Sequence, residues 1–260
     1  MRLRSTPIAL LLATVGLAAV PARADVTGSG RIVDETRSVG DFTAISVAAG
    51  IQVKVEAGPR SALALRGEDN VLPHVRTEIK GSTLQIGFEP NLSMSTRQPV
   101  VIALRAPRLD ELGASGGSLL DAATPTGASL RIAASGGSRV HLSASVKPRR
   151  LDIDSSGASE ITIDEVEVAE ARIGTSGAGF VSLAGTARSL DLQLSGAARL
   201  DASRLTVSAL KVEGSGGSRA RVHVVGTAEG SISGGTTLHV GADASVAVSS
   251  TGGSSVQREL

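Results

Sequence analysis

The sequence predicts an all-β protein, a right-handed parallel β-helix of about 20-residue rungs preceded by a β-rich N-terminal cap region. Three observations predict this fold. The dipeptide Ser-Gly recurs seven times at intervals of 18 to 21 residues, apolar and polar residues alternate on both sides of it, and one charged column changes sign at every repeat. A fixed period near 20 residues is typical of a solenoid, and β-strand crossovers are right-handed.

Residues 1–24 have the layout of a secretory signal peptide. Arg2 and Arg4 precede an apolar stretch of 13 residues, Ile8–Val20, and Ala22-Arg23-Ala24 fits a small-x-small cleavage site. A membrane-spanning helix needs about 20 apolar residues, and no other stretch is apolar enough to span. We therefore expect cleavage after Ala24 and export to the periplasm or the cell exterior, with no transmembrane segment in the exported chain.

The composition excludes several classes of function. The 260 residues include no Cys, so the chain has no disulfide, no thiolate metal ligand and no lipid-modified Cys, and we do not expect a lipoprotein. The formal net charge of +1 comes from the arginines of the signal segment. A nearly neutral surface argues against nucleic acid binding and against electrostatic membrane binding.

Residues 25–106 are predicted to form the β-rich cap region. The sequence DFTAISVAAGIQVKVEAG, from Asp41 onward, alternates apolar and polar residues and is interrupted by glycines, without a 20-residue period. The polar segment Asn91–Gln98 is predicted to be a loop. Pro99–Leu104 is predicted to be a strand that leads into the repeats.

Residues 107–260 are predicted to form the β-helix. When the repeats are aligned on Ser-Gly, three columns are almost wholly apolar, and each rung therefore holds two short strands and a less regular third side. The column three residues before the Ser contains Leu112, Ile132, Ile153, Ile173, Leu192 and Val212. The column five residues after it contains Leu120, Val140, Ile161, Val181, Leu200, Ala220 and Leu238. The column seven residues after it contains Ala122, Leu142, Ile163, Leu183, Ala202, Val222 and Val240. Helical repeats need longer periods, and the Leu/Asn frame of leucine-rich repeats is missing.

A column of alternating charge supports the same register. Four residues before each Ser stand Glu111, Arg131, Asp152, Arg172, Asp191, Lys211 and Glu229. In a parallel stack these residues lie about 4.8 Å apart, so alternation gives ion pairs where like charges would repel. Each exposed pair is worth at most about 1 kcal/mol, so the column sets the register more than it stabilises the fold.

The Ser-Gly dipeptide is interpreted as a structural corner. Gly adopts positive φ without strain, and the Ser hydroxyl is predicted to bond to nearby backbone. The seven serines have no His or Asp at a constant offset, so they do not form a catalytic triad.

The opening segment, the stretch GEDNVLPHVRTEIKGSTLQI and the repeated L-x-I-x-x-S-G-x-S-x-V-x-L together resemble the DUF2807 family, the putative auto-transporter adhesin, head GIN domain. The resemblance covers roughly Arg31 to Val256. It implies an exported bacterial protein with a parallel β-helix, and it offers no catalytic motif to carry over.

One basic cluster is a candidate ligand-binding surface. Arg199, Arg219 and Arg221 fall in outward columns beside Phe180, where they are able to contact an anionic polysaccharide. The alternative is a solvated sheet face, because charges on exposed strands usually serve solubility.

Other side chains give no site. The four His residues lack metal-ligand spacing, so we expect neither a metal nor a cofactor. Asp152, Asp154 and Asp164 are close in sequence, but Asp152 belongs to the charge column, where it is expected to pair with Arg131 and Arg172.

The sequence therefore predicts an exported, non-enzymatic β-solenoid of the cell envelope that acts by surface binding, with a cell-surface polysaccharide or an envelope protein as partner. Two alternatives stay open. One is a carbohydrate-active enzyme on a β-helix, and the other is a structural or assembly unit that uses its open end.

Overall fold

The computed structural model describes residues 24–59, 63–123, 126–241 and 243–259. Of the segment expected to be a signal peptide, residues 1–23 lie outside the described residues. In the described ranges, no helix has the length and apolar character needed to cross a bilayer.

The described chain is built from strands, as predicted. The part before the repeats contains β1 (Ala24–Thr27), β2 (Ile32–Arg37), β3 (Ala44–Val47), β4 (Gln52–Ala57), β5 (Leu63–Glu68), a 3-10 turn at Leu72–His74, β6 (Val75–Lys80), β7 (Thr83–Phe88), β8 (Leu92–Ser95) and β9 (Val101–Ala106). The repeats contain β10 (Glu111–Ala114), β11 (Leu119–Ala123), β12 (Ser129–Ala134), β13 (Arg139–Val146), β14 (Arg150–Ser155), β15 (Glu160–Thr175), β16 (Phe180–Leu194), β17 (Arg199–Gly214), β18 (Arg219–Ile232), β19 (Thr237–Gly241), β20 (Ser245–Ser250) and β21 (Ser255–Glu259).

The strands stack in parallel into a β-solenoid of about seven turns. The first face consists of strands that precede each Ser-Gly corner, such as β10, β12 and β14, and the second face of strands that follow it, such as β11 and β13. The long strands β15 to β18 each run along the second face, a third face and then the first face, with bulges at the bends.

The core lies inside the stack and consists of the predicted apolar columns. Every member of the three columns is at most 3% exposed. On the third face Val166, Val168, Leu205 and Val207 are buried as well, so this side also closes the core. Because equivalent side chains lie on successive rungs, the core continues along the axis and is filled by aliphatic groups, with Phe42 near its N-terminal end.

Each corner has the backbone geometry that the glycine was predicted to supply. The Gly of each of the seven repeated Ser-Gly corners has a positive φ, from +61° at Gly116 to +77° at Gly216. Backbone hydrogen bonds continue through the corners, as in the 2.7 Å bond from the Gly217 N–H to the Gly196 carbonyl. The corners are therefore stacked as closely as the strands.

The region before the repeats contributes rungs of its own. β3 and β4 pair in parallel with β10 and β11, and β7 and β9 pair in parallel with the opposite edges of β3 and β4. A strand later in the chain thus lies outside an earlier one. The antiparallel pairs of β5 with β9, β2 with β5 and β6 with β7 then cover this end.

The prediction of a loop at Asn91–Gln98 is wrong for the middle of the segment. Its centre forms β8, which pairs in parallel with β1 in a separate two-stranded sheet. β8 is only four residues long and its side chains are polar or half-buried, so its strand character comes from backbone pairing rather than from an apolar pattern.

At the opposite end of the solenoid, β20 and β21 each pair with a single strand among the described residues. β20 pairs with β18, and β21 pairs with β19. Arg258 takes the register position of the buried Val240 on the rung before it. A charge at such a position blunts an open sheet edge against association.

Candidate binding surfaces

The structure brings the predicted site residues together on the second face. Phe180 is the register partner of Arg199, and Arg199 is the register partner of Arg219, so the three form one column over successive rungs. Arg221 lies two residues after Arg219 and is the register partner of Asp201. We call Arg199 and Arg219 the arginine column.

The arginine column differs in its electrostatics from the rest of its face. Both side chains are exposed, and neither forms an ion pair with a described residue. Three rungs before Arg199 in the same column, Arg139 instead bonds to Glu160 at 2.7 Å. Like charges on neighbouring strands repel, so the arginine column costs stability unless an anion lies over it.

Arg221 has a different environment from the arginine column. The Ser203 hydroxyl, which donates to Asp201 at 2.6 Å, and the nearby charge of Arg221 hold the pKa of Asp201 below its usual range. Asp201 therefore stays ionised and offsets part of the Arg221 charge, so the arginine column is the part of the cluster best suited to an external anion.

A groove on the first face was not anticipated from the sequence. It has a volume of about 840 Å³ and follows the corner where the first face meets the Ser-Gly turn. We call it the serine groove, after the corner serines that line it: Ser115, Ser135, Ser156, Ser176, Ser195 and Ser215. Small residues from the neighbouring columns, such as Gly113, Ala133 and Gly174, contribute to its lining.

Six of the seven corner serines make no side-chain bond to the backbone among the described residues, contrary to the prediction. The structural bonds come from a second column, three residues further on. Ser138 is buried, and its hydroxyl donates to the carbonyls of Ser135 at 2.7 Å and Ala114 at 2.9 Å. Ser118, Ser159, Ser218, Thr236 and Ser254 bond to their own corners in the same way. Of the corner serine hydroxyls, only that of Ser233 bonds within the described part of the protein, at 3.4 Å to Gly214.

The serine groove is neutral to acidic. Asp154, Gln193 and Glu213 line it, and no Lys or Arg is among its described lining residues. The carboxylates are held in place from the next column, since Arg131 bonds to Asp154 at 2.8 Å and Lys211 approaches Glu213 at 3.7 Å. The groove and the arginine column thus favour ligands of different charge.

The charge column has the predicted register but not all of the predicted pairs. Arg131, Asp152 and Arg172 are register neighbours, as expected. Among the described residues, however, Asp152 pairs with Arg150 at 3.1 Å, while Arg131 reaches Asp154. Side chains of adjacent outward columns are near enough to pair diagonally, which alignment of single columns does not show.

One histidine, His141, bridges two aspartates. His141 lies between Asp121, at 3.6 Å, and Asp164, at 3.0 Å. Among the residues that the structure describes, no group of three His, Asp or Glu side chains is arranged to hold a metal ion.

Solved structures with the same fold include three from Parabacteroides species. A putative adhesin from Parabacteroides merdae superposes with a TM-score of 0.84 at 21% identity, covering 91% of this chain and 100% of its own. A putative lipid binding protein from Parabacteroides distasonis gives 0.83 at 17% identity, with the same coverage. A putative adhesin from Parabacteroides distasonis gives 0.78 at 22% identity, covering 90% of this chain and 100% of its own. At these identities the likeness shows the fold alone.

A search of curated proteins finds no match. The sequence profile of a family described as the putative auto-transporter adhesin, head GIN domain, matches residues 41–244. This match spans the rungs that carry the arginine column and the serine groove, and it agrees with the resemblance seen in the sequence. The chain therefore belongs to the DUF2807 family.

Proposed function

We propose that the protein is an exported, non-enzymatic binding module of the bacterial cell envelope, and that it holds an anionic cell-surface polysaccharide against the second face. The observation that carries this proposal is the arginine column. Two exposed guanidinium groups stand on adjacent rungs without a carboxylate partner among the described residues. The family description as a putative adhesin head points the same way.

The geometry of the column suits a polymer. Register neighbours in a parallel stack are about 4.8 Å apart, so Arg199 and Arg219 present two charges along the solenoid axis. Guanidinium groups bind carboxylate and sulfate in a bidentate manner. The half-buried ring of Phe180, one rung earlier, adds an apolar surface to the same column.

Export is proposed from the N-terminal segment. The charged start, the short apolar run and the Ala22-Arg23-Ala24 site fit a signal peptide. A chain without Cys folds independently of the redox state outside the cytoplasm.

The spacing of the carboxylates supports a binding role over glycoside hydrolysis. Asp154 and Glu213 both line the serine groove, but Asp154, Gly174, Gln193 and Glu213 follow one another on successive rungs. Three intervals place the two carboxylates about 14 Å apart along the axis. Paired acids in glycosidases are at most about 9.5 Å apart.

The test compares binding of two doubly substituted chains. We expect Arg199→Ala with Arg219→Ala to weaken binding to a soluble anionic polysaccharide, such as polygalacturonate or heparin, by about tenfold at low salt. Arg149→Ala with Arg188→Ala is the matched control, because it removes the same charge from two exposed arginines outside the column. Affinity is measured by titration at low and high ionic strength, and raised salt should reduce the difference between the two chains.

Two outcomes would contradict the proposal. Equal weakening by both double substitutions would show that only net charge matters. Binding to vesicles of anionic lipid but to none of the polysaccharides would mean that the ligand is a membrane surface. The name of the putative lipid binding protein among the structural neighbours raises this possibility.

A further inference from the structure

We propose that the serine groove is a second binding site, and that it takes an uncharged, hydroxyl-rich polymer, namely a neutral linear glycan lying along the solenoid axis. This inference goes beyond the arginine column and does not depend on it. The two surfaces are on different faces and have different charge, so each can be tested without disturbing the other.

The first reason is that the corner serines have no structural task that the fold requires of them. Six hydroxyls, from Ser115 to Ser215, have no hydrogen-bond partner among the described residues, and the last four serines are exposed. The corner itself is held by the other serine column, as the bonds of Ser138 show. Six consecutive rungs therefore present a serine hydroxyl that makes no internal bond and is available to a ligand.

The second reason is the arrangement of the hydroxyls. Successive corner serines follow the register of the rungs, because the N–H of each one bonds to the carbonyl that ends the strand below, as with Ser135 and Ala114. The hydroxyls are therefore spaced about 4.8 Å apart in a line, close to the advance of one sugar unit in an extended chain. Five intervals from Ser115 to Ser215 give a line of about 24 Å.

The third reason is the rest of the lining. Asp154 and Glu213 are placed to accept hydrogen bonds from sugar hydroxyls, and the described lining holds no Lys or Arg to attract an anion. Gly113, Ala133 and Gly174 leave room for a chain to approach the backbone. Thr175, also in the lining, is 3% exposed, and its hydroxyl has no hydrogen-bond partner among the described residues.

The groove has no aromatic residue in its described lining, so binding must come from many weak hydrogen bonds. Each net hydrogen bond contributes little by itself, and several on one polymer act together. We therefore expect affinity to rise with glycan length until the chain fills the row of serines, and short oligosaccharides to bind poorly.

The experiment is native affinity electrophoresis of the mature chain in gels that contain a neutral linear polysaccharide, such as barley β-glucan or konjac glucomannan, or polygalacturonate as the charged comparison. We expect retardation by at least one neutral gel. Ser156→Ala with Ser176→Ala and Ser195→Ala removes three hydroxyls without breaking an internal bond, and we expect it to weaken binding about tenfold. Ser129→Ala with Ser143→Ala and Ser208→Ala is the matched control on other exposed positions.

The outcomes separate the two sites. Retardation in a neutral gel that the groove triple weakens, and that the control triple and the Arg199/Arg219 double do not, supports the inference. Absence of retardation in every neutral gel, or equal retardation of the groove triple and the wild type, overturns it. Unfolding curves of the groove triple that match those of the wild type exclude loss of the fold as the cause.

Discussion

At the level of single residues, the two glycines of a corner have different importance. Gly216 has a φ of +77°, and a Cβ placed on it would lie 2.5 Å from the carbonyl oxygen of Gly196. Gly217 has no positive φ, and the nearest atom to its Cβ would be 3.9 Å away. Equivalent positions on other rungs hold Ala158, Ala178 and Ala197, which agrees with this difference.

Gly216→Ala is expected to lower the free energy of unfolding by about 2 kcal/mol or more, because it adds left-handed backbone strain to a clash with backbone. Gly217→Ala is the control and should change the stability by less than about 0.5 kcal/mol. Urea unfolding followed by circular dichroism measures both. Equal losses for the two variants would mean that the corner is not stacked as described.

The repeated Ser-Gly shows how far a residue pattern can be interpreted from the sequence. The positive φ of the glycine could be predicted, because only glycine adopts it without strain. The bonding serine could not be assigned, because Ser occurs both in the corner and three residues later, and only burial distinguishes Ser138 from Ser135. The same limit applies to the serine groove, which depends on the curvature of the corner.

At the level of strands, the alternating charge column predicted the register from Glu111 to Glu229 correctly. The apolar columns predicted which side of each strand is buried. Both succeed because a side-chain period of two, repeated every rung, leaves one register that buries all the apolar residues.

Reversal of one charge tests this register. Asp152→Arg places a third positive charge between Arg131 and Arg172, and we expect a loss of about 1 kcal/mol in stability at low salt. Asp152→Asn is the control and should cost less, since it removes attraction without adding repulsion. Denaturant unfolding at two salt concentrations measures both, and a loss that is unchanged by salt would contradict the electrostatic explanation.

The part before the repeats was harder to predict in detail. The corner at Ala48–Ile51 occupies the place of Ser115–Ser118, and Ala49 has a φ of +64°, so the sequence carries no Ser-Gly signal there. The outward position of β7 and β9 depends on a return of the chain that no local pattern encodes. The division into a cap region ending at residue 106 and repeats from residue 107 stays a proposal, because parallel pairing already begins at β3.

At the level of the whole molecule, the solenoid presents two rows of functional groups along its axis. One is the arginine column of the second face, and the other is the row of hydroxyls in the serine groove. A fold with a single repeating unit forms such rows without a deep enclosed pocket, because each rung adds one functional group at a fixed distance from the last. Both proposed sites therefore suit a polymer, whose length and repeat spacing would decide how well it binds.

The open end at β20 and β21 bears on the alternative of an assembly unit. Val246, Val248 and Val256 are only partly buried there, and the exposed Arg258 takes the register position of the buried Val240. A charge at that position opposes pairing with another strand, so this end favours contact through the faces over growth by stacking.

The most direct measurement is co-sedimentation of the mature chain with insoluble envelope and matrix polysaccharides, with assay of the supernatant for released reducing sugar ends. We expect retention of the protein without release of sugar, and weaker retention on charged material after substitution of Arg199 and Arg219. Release of sugar ends would contradict the non-enzymatic role, and absence of retention on every polysaccharide would contradict polymer binding.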